Sequence, residues 1–511
     1  MTDSTWSPPD APPPRESGDP GDPTGVDGLD WRRFHPVTPA IKGWKVLVVL
    51  LAVVAQQTAD NVRAAQDVAS AVGPLGILGV LVGVLLLASG YAFVAWRMTR
   101  YAIGTDAVYL RTGVLFRRAR TARLDRIQAI DVVQPLLARL AGLAELKVEV
   151  AGGADSAVRL SFLREGAAQA LRAELLARAA GVAVHRPAPS PATGPDGVPA
   201  PGAALPGVVV PEAPEREVFA VTPATLLGSL VRSGGVLASL VLLVALLVAV
   251  VAARDPGPAF AMLPALLGAG GFVWQRFAGE FGFRAALSPD GVRLRHGLLE
   301  ARAQTVPPGR VQAVSLVQGP LWRGKDWWRV QMNVAGYGVS TGQNQQTESV
   351  LLPVGSRDEA LLALWLVLPD LGTADPRALL DAGLSGSGEE QGFVTSPRRA
   401  RWLDPFTWRR AGVAFTDRAV LVRGGWLVRR LVVVPHEKTQ SLGLEQGPLQ
   451  RRMGLASFSL HSTPGPVVPM VPHLDTSLAG ALLHDQATRA RTARARSGPE
   501  RWMTAPVGDP A

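Results

Sequence analysis

The feature that most constrains this chain is a pair of long segments without a charged residue. Residues 73–96 and 234–253 are predominantly apolar, and each is long enough to cross the hydrocarbon core of a membrane as one helix. Two less uniform apolar segments, residues 43–59 and 257–274, lie next to them across short polar links. The pattern predicts two helical hairpins in a membrane, each returning the chain to the side on which it entered.

Arginine and lysine are concentrated at one end of these hairpins. Cations flank the segments on the outward ends of each hairpin, at Arg32, Arg33, Lys42, Lys45, Arg97, Arg100, Arg216, Arg232, Arg276 and Arg284. The links between paired segments hold only Arg63 and Arg254 beside aspartates. Because basic residues near helix ends stay on the cytoplasmic side, we expect a multi-pass protein of the inner (plasma) membrane. Its amino terminus, soluble domains and carboxyl terminus should then all be cytoplasmic.

The overall composition agrees with a membrane protein and excludes several kinds of site. Of 511 residues, 47% are hydrophobic and 18% charged, which is more apolar than a typical soluble protein. The net charge of +10 is compatible with cytoplasmic loop bias, with anionic lipid or with nucleic acid. The absence of cysteine excludes disulfides, thiolate metal sites and a thiol nucleophile.

Outside the apolar segments, one pattern occurs three times along the chain. A glycine is followed by a glutamine fifteen residues later and a second glutamine six residues after that. The residues that define the repeat are Gly113, Gln128 and Gln134, then Gly297, Gln312 and Gln318, then Gly425, Gln440 and Gln446. A Pro-Leu pair follows the second glutamine in each copy. Three matches at one spacing indicate three copies of one structural unit.

Each copy has the pattern of a β-meander that ends in a helix. Alternating runs on both sides of the glycine predict strands. Helical segments follow at residues 165–180, 356–368 and 475–488, and Ser356 with Glu359 has the spacing of a capping box. The Thr-Asp start, the Gln-to-Pro-Leu stretch, Gly142-Leu143 and Gly454-Leu455 resemble the YdbS/YdbT-type bacterial membrane proteins. The second copy departs from that pattern, with Asp326-Trp327 in place of Gly-Leu.

That resemblance implies pleckstrin-homology-like (PH-like) domains and hence a multi-domain membrane protein. The expected fold is two α-helical transmembrane hairpins plus three PH-like β-sheet domains, each closed by a C-terminal helix (α+β, mainly β). The expected division is a disordered tail (1–30), hairpin 1 (31–97), PH-like domain 1 (98–182), a Pro-rich linker (183–215), hairpin 2 (216–276), PH-like domain 2 (277–372), a linker (373–400), PH-like domain 3 (401–488) and a basic disordered tail (489–511).

No catalytic or metal-binding pattern withstands inspection. Residues 319–325 fit the start of a phosphate-binding loop, but Asp326 replaces the required Ser or Thr and a strand pattern follows in place of a helix. His436, His461 and His473 lack a metal-ligand spacing. We therefore expect a protein that is not an enzyme and that has no catalytic, metal or cofactor-binding residues.

Arginine clusters are the remaining candidates for a contact site. The candidate lipid or partner contacts are Arg117, Arg118, Arg120, Arg123, Arg398, Arg399, Arg401, Arg429, Arg430, Arg451 and Arg452. Near an anionic membrane each contributes about 1 kcal/mol to binding. The alternative is a solvated strand face in an arginine-rich protein.

Two functional hypotheses remain open. The first is a membrane scaffold whose cytoplasmic PH-like domains contact the bilayer, anionic lipid, protein partners or further copies of the chain, and not nucleic acid. The second is a component of a membrane complex for export or for envelope-stress or antimicrobial defence, in which the hairpins act and the domains regulate.

Overall fold

The computed structural model describes residues 30–38, 79, 82–83, 86, 89–104, 106–113, 118–124, 127–150, 158–179, 216–254, 257–288, 291–307, 309–335 and 349–496. Several predictions lie outside these residues: the first tail except Asp30, the segment 43–59, much of 73–96, the linker 183–215 and Arg117.

The described chain forms three successive units, repeat 1 (32–179), repeat 2 (216–367) and repeat 3 (394–496), each with seven strands and a closing helix. The strands of repeat 1 are β1 (Arg32–Arg33), β2 (Arg100–Ile103), β3 (Ala107–Thr112), β4 (Arg118–Arg123), β5 (Ile127–Pro135), β6 (Leu143–Val150) and β7 (Val158–Arg164). Those of repeat 2 are β8 (Arg216–Ala220), β9 (Arg284–Ser288), β10 (Gly291–His296), β11 (Glu300–Val306), β12 (Val311–Gln318), β13 (Trp328–Val334) and β14 (Val350–Gly355). Those of repeat 3 are β15 (Val394–Thr395), β16 (Gly412–Phe415), β17 (Ala419–Gly424), β18 (Arg429–Pro435), β19 (Ser441–Glu445), β20 (Leu455–His461) and β21 (Met470–Asp475).

The helices close the repeats, connect strands or lie between the repeats. They are α1 (Leu136–Leu140), α2 (Glu165–Ala179), α3 (Pro223–Val231), α4 (Gly234–Ala253), α5 (Gly257–Glu280), α6 (Arg357–Val367), α7 (Pro376–Leu384), α8 (Pro448–Arg452) and α9 (Thr476–Arg496). The predicted closing helices are confirmed as α2, α6 and α9, and Ser356 with Glu359 forms the predicted capping box.

The recurring glycine and glutamine residues have structural roles. Gly113, Gly297 and Gly425 all have positive φ, in the turns before β4, β11 and β18. A Cβ at Gly297 or Gly425 would lie about 2 Å from a backbone carbonyl oxygen across the turn, so only glycine fits. Gln318 and Gln446 each donate from Nε2 to the carbonyl oxygen nine residues further on, at 3.3 and 2.9 Å. The repeat pattern therefore specifies turns rather than a binding site.

Asp326 stands where the other two repeats have Gly142 and Gly454, and it adopts the same left-handed turn. Asp326 has φ 49°, close to the 64° and 61° of Gly142 and Gly454. Its carboxylate accepts hydrogen bonds from Gln318, Trp328 and Arg357 at 2.9–3.0 Å. Burial alone would raise the pKa of Asp326, but these hydrogen bonds outweigh burial and hold the pKa below its usual value.

Consecutive repeats share their sheets. The first four strands of repeat 1 form one sheet and the last three of repeat 3 form another. Between them lie two seven-stranded sheets, with orders β7-β6-β5-β11-β10-β9-β8 and β14-β13-β12-β18-β17-β16-β15. Each joins the last three strands of one repeat to the first four of the next through an antiparallel pair of edge strands. The three repeats are therefore continuous in their hydrogen bonding.

The segment predicted as a linker, residues 373–400, is folded, so that prediction is wrong. It contains α7, whose Leu379, Leu380 and Leu384 are buried in the same hydrophobic core as the residues of repeat 2, and it supplies β15. In β18, Leu431 faces the core that includes α7, and Val432 faces the core of repeat 3. Burial on both faces explains the unbroken apolar run from Leu431 to Val434.

The closing helix of repeat 3 is longer than predicted. It continues to Arg496 rather than ending near Thr488, so residues 489–496 of the predicted disordered tail are helical. Arg489 and Arg494 donate to the carbonyl oxygens of Thr416 and Thr439, and these contacts hold the extra turns on the domain.

The described part of the chain contains one helix that is long and apolar enough to cross a membrane. It is α4 over Gly234–Ala252, with a mean hydropathy of 3.0 and only 6% of the span buried. Helix α5 packs antiparallel to α4, so the second predicted hairpin forms as a helical pair, but α5 does not meet the same criterion. The prediction of two membrane-spanning hairpins therefore has support for α4 alone.

Candidate functional site

In each repeat the chain leaves the sheet at the same place, between the first and second strands. We call the residues between these strands the insertion, which is 34–99 in repeat 1, 221–283 in repeat 2 and 396–411 in repeat 3. The two strands still pair as neighbours in each repeat, as with Arg216 and Leu287 across the insertion of repeat 2. The apolar segments of the chain all lie in the first two insertions.

The insertion of repeat 2 is fixed to the sheet before it enters α4. Thr222 caps α3, and Leu226 and Leu230 of α3 are buried in the core. Trp322 donates from its indole nitrogen to the carbonyl oxygen of Ser229 at 3.1 Å. At the other end, Glu280 accepts a 2.6 Å bond from Arg329. The hairpin is therefore held at both ends.

The surface of α4 is apolar and exposed. Its exposed large side chains are Leu237, Leu240, Val241, Leu243, Val244, Leu247, Val248 and Val251. At about 1.5 kcal/mol for each side chain, leaving these eight in water forgoes roughly 12 kcal/mol of burial. Such a surface requires lipid or another protein around it.

The insertion of repeat 3 is short, yet it exposes large aromatic side chains. Trp402 is 76% exposed and Phe406 65%. The Phe406 ring lies 5.4 Å from that of Trp426, which stands with Leu427 on the turn between β17 and β18. Arg401 and Arg409 lie beside the rings of Trp402 and Trp408. We call Arg401, Trp402, Phe406, Arg409, Trp426 and Leu427 the aromatic–basic surface.

The aromatic–basic surface occupies the position of the hairpin in repeat 2. There, the turn between β10 and β11 contacts the end of α5: Gly297 N donates to Phe281 O at 2.8 Å and Leu298 N to Ala278 O at 2.7 Å. The corresponding turn in repeat 3 contacts Phe406 instead. Arg323 of repeat 2 donates to the carbonyl oxygens of Trp426 and Leu427 and holds this turn in place.

Two buried arginines, Arg410 and Arg423, fix the chain next to Arg409 of the aromatic–basic surface. Arg410 donates to the carbonyl oxygens of four successive residues, 383–386, at the end of α7. Arg423 donates to the carbonyl oxygens of Ala382, Gly388 and Arg410 and lies 4.3 Å above the Phe393 ring. Burial, with Arg429 and Arg423 nearby, lowers the pKa of Arg410 to about 10, and burial lowers that of Arg423 to about 10.

The predicted arginine contacts do not form a single site. Arg118, Arg120 and Arg123 lie on β4 in repeat 1, and Arg429 and Arg430 begin β18. The exposed Arg398 and Arg401 share a 3-10 turn with Arg399, which binds the carbonyl oxygen of Gly454 at 3.1 Å. Gly454 follows α8, so the structure places this turn next to the exposed Arg451 and Arg452.

Arg399 and Arg429 are engaged in the fold itself. Arg399 also pairs with Asp475, and Arg429 donates to Gln318 Oε1 at 3.5 Å. Sequence reasoning missed the aromatic members of the surface, Trp402, Phe406 and Trp426. Aligning the repeats by their first two strands would have revealed Trp402 and Phe406, because these residues then fall where the other copies have apolar segments.

The structure explains the loop-like motif at residues 319–325 and the buried His436, neither of which was predicted to be a site. Residues 320–325 form a 3-10 helix followed by β13, so the strand predicted after the loop-like motif is confirmed. His436 is buried, with Nδ1 2.9 Å from Gln486 Oε1 and Nε2 2.9 Å from Thr416 O. It joins α9 to the sheet.

Comparison with known proteins agrees with the three-part architecture. The family model described as "Bacterial PH domain" matches three times, at residues 47–179, 223–361 and 394–489, which is more than half of the chain. The first two matches include insertion residues as well as the strands that follow. No curated protein and no solved structure matches the chain. The chain belongs to the bacterial PH domain family.

Proposed function

We propose that this chain is a multi-pass membrane scaffold of the YdbS/YdbT type, which acts through contacts rather than catalysis. Two hairpins cross the inner membrane, and the three repeats lie on its cytoplasmic side. The third repeat, which has no hairpin, rests on anionic lipid through the aromatic–basic surface. The observation that carries the proposal is the position of that surface, in the insertion that holds α4 and α5 in repeat 2.

The chemistry of the aromatic–basic surface suits a membrane interface. Tryptophan is enriched where bilayer and water meet, and arginine near an anionic leaflet adds about 1 kcal/mol per residue. Exposed Arg398, Arg451 and Arg452 border the surface on the α8 side. A nucleic-acid role has less support, because the exposed aromatic side chains of repeat 3 lie in the insertion that holds the apolar helices α4 and α5 in repeat 2.

The chain has no cysteine, so a single introduced thiol reports one position without background. Trp402→Cys, carrying an environment-sensitive fluorophore, is placed in the full chain in nanodiscs containing spin-labelled lipid. We expect strong quenching in discs rich in anionic lipid and weaker quenching in zwitterionic discs or high salt.

The matched control is Thr488→Cys, an exposed position on the part of α9 that packs near His436. Trp426 precedes β18 and His436 follows it, so the two residues are separated by the length of the strand, about 20 Å. A probe at Thr488→Cys should therefore remain unquenched. Equal quenching at the two positions, or none at Trp402→Cys in anionic discs, would remove the lipid-docking proposal.

A further inference from the structure

The junctions between repeats follow one register. At the first junction Gln134 of β5 lies opposite Ala301 of β11, and at the second Gln318 of β12 lies opposite Arg429 of β18. In both, the second glutamine of one repeat faces the residue four positions after the glycine of the next. Two junctions with the same register indicate that these two strand edges are complementary in the repeat itself.

Repeat 1 and repeat 3 each have one strand that is equivalent to a junction strand but that has no junction partner among the described residues. Strand β4 corresponds to β11 and β18, and β19 corresponds to β5 and β12. Within the described residues each of these end strands is at the edge of its sheet, with a neighbour on one side only. Leu316 of β12, which is paired on both sides, is buried, whereas Leu444, at the equivalent position of β19, is 43% exposed.

We infer that β19 of one copy pairs with β4 of a second copy of this chain, in the register of the internal junctions. That register sets Glu445 opposite Arg118, Leu444 opposite Ala119 and Gly443 opposite Arg120. The five residues of β19 would all be paired, as many as at the second internal junction. An unpaired strand edge is a template for this kind of pairing.

Charge selects this pairing over the alternatives. The arginine five positions after the glycine occurs in all three repeats, as Arg118, Arg302 and Arg430, and inside the chain it faces Val133 or Val317. Between copies it faces Glu445, and opposite charges across an antiparallel pair stabilise it. Two β4 edges would instead bring two arginine-rich strands together, which is unfavourable.

Head-to-tail pairing leaves one free edge of each kind on every dimer. The contact is therefore heterologous, and it extends to rings or rows rather than stopping at two copies. Membrane attachment of each copy, if the proposed function holds, raises the effective concentration of the edges. The pairing itself does not use the aromatic–basic surface, so its test is independent of lipid docking.

The test uses full-length chains in native membranes and two differently tagged copies. One copy carries Ala119→Cys and the other Leu444→Cys, which the proposed register places opposite each other at a separation that suits a disulfide. Mild oxidation should give a crosslinked species containing both tags. The control pair is Ala119→Cys with Gly443→Cys, in which the second thiol is on the other face of its strand and should crosslink little.

Charge variants then test the register. Adding Glu445→Arg should reduce the mixed crosslink about five- to tenfold, because like charges replace an opposite pair. Adding Arg118→Glu to the partner copy should restore the crosslink, and that recovery shows that the variants fold. Three results would overturn the inference: no mixed crosslink, no effect of Glu445→Arg, or self-crosslinking of Ala119→Cys copies that equals the mixed product.

Discussion

Repeats 2 and 3 have the same strand order but differ in what they insert between the first and second strands. Repeat 2 inserts a long apolar hairpin between its first two strands, and repeat 3 inserts sixteen residues, 396–411, with exposed aromatic side chains. Because these strands are neighbours in the sheet, the connection between them can change in length without altering the register. The insertion therefore decides which side chains a repeat exposes at this point, and the sheet decides how the repeat joins the next one.

The largest expected difference between the two insertions is whether the chain crosses the membrane. Arg254→Cys, in the link between α4 and α5, should react with an impermeant maleimide on intact cells. Thr488→Cys in repeat 3 should react only after permeabilisation. Labelling of Thr488→Cys in intact cells would contradict the cytoplasmic position of the repeats, and absence of labelling at Arg254→Cys would contradict the crossing by hairpin 2.

A second expected difference concerns one strand position with two environments. Arg295 and Arg423 both stand two residues before the repeat glycine, but Arg295 is exposed and Arg423 is fully buried beneath α7. Arg423→Met leaves three carbonyl oxygens, two of them in buried hydrogen bonds, without this donor, and should lower the free energy of unfolding of repeat 3 by about 3–5 kcal/mol.

Hydrogen exchange at the amides of β17 and β18 measures that loss in the full chain. Arg295→Met is the matched control in repeat 2, and it should change exchange in β10 by less than about 1 kcal/mol. Similar losses in the two repeats would show that α7 does not distinguish them.

The contrast also shows how far sequence could specify this molecule. Local signals were sufficient for the strands, the glycine turns and the closing helices, because each depends on a few neighbouring residues. The sharing of sheets was not predictable in this way, since β12 pairs with β18 across more than a hundred residues. The run from Leu431 to Val434 was a signal of burial on both faces, but it does not name the covering element.

The candidate site shows the same limit. The arginines were visible as clusters, yet their roles depend on packing: Arg399 and Arg429 serve the fold, and Arg398 and Arg401 border exposed rings. Segment 373–400 resembled a linker because Ala, Gly and Pro make up ten of its 28 residues, although Leu379 and Leu380 are buried.

The smallest expected difference concerns the side-chain interaction that attaches each insertion to its sheet. In repeat 2 it is the neutral bond from Trp322 to Ser229, and in repeat 3 it includes the ion pair of Arg399 with Asp475. Hydrogen bonds from Ser477 and then Arg399 lower the pKa of Asp475 to about 2. A carboxyl with a lowered pKa stabilises the fold above its unfolded-state pKa, near 4, and that contribution disappears as pH falls through about 2.

Asp475→Asn should therefore destabilise repeat 3 by less than about 1 kcal/mol at pH 5, because the pair is partly exposed. The difference from the parent chain should vanish near pH 2. Thermal unfolding between pH 5 and pH 2 measures it, with Ser477→Ala as a variant that removes the larger cause of the pKa shift and should narrow the pH window. A difference that persists unchanged to pH 2 would mean that packing, rather than the charge on Asp475, joins the insertion of repeat 3 to its sheet.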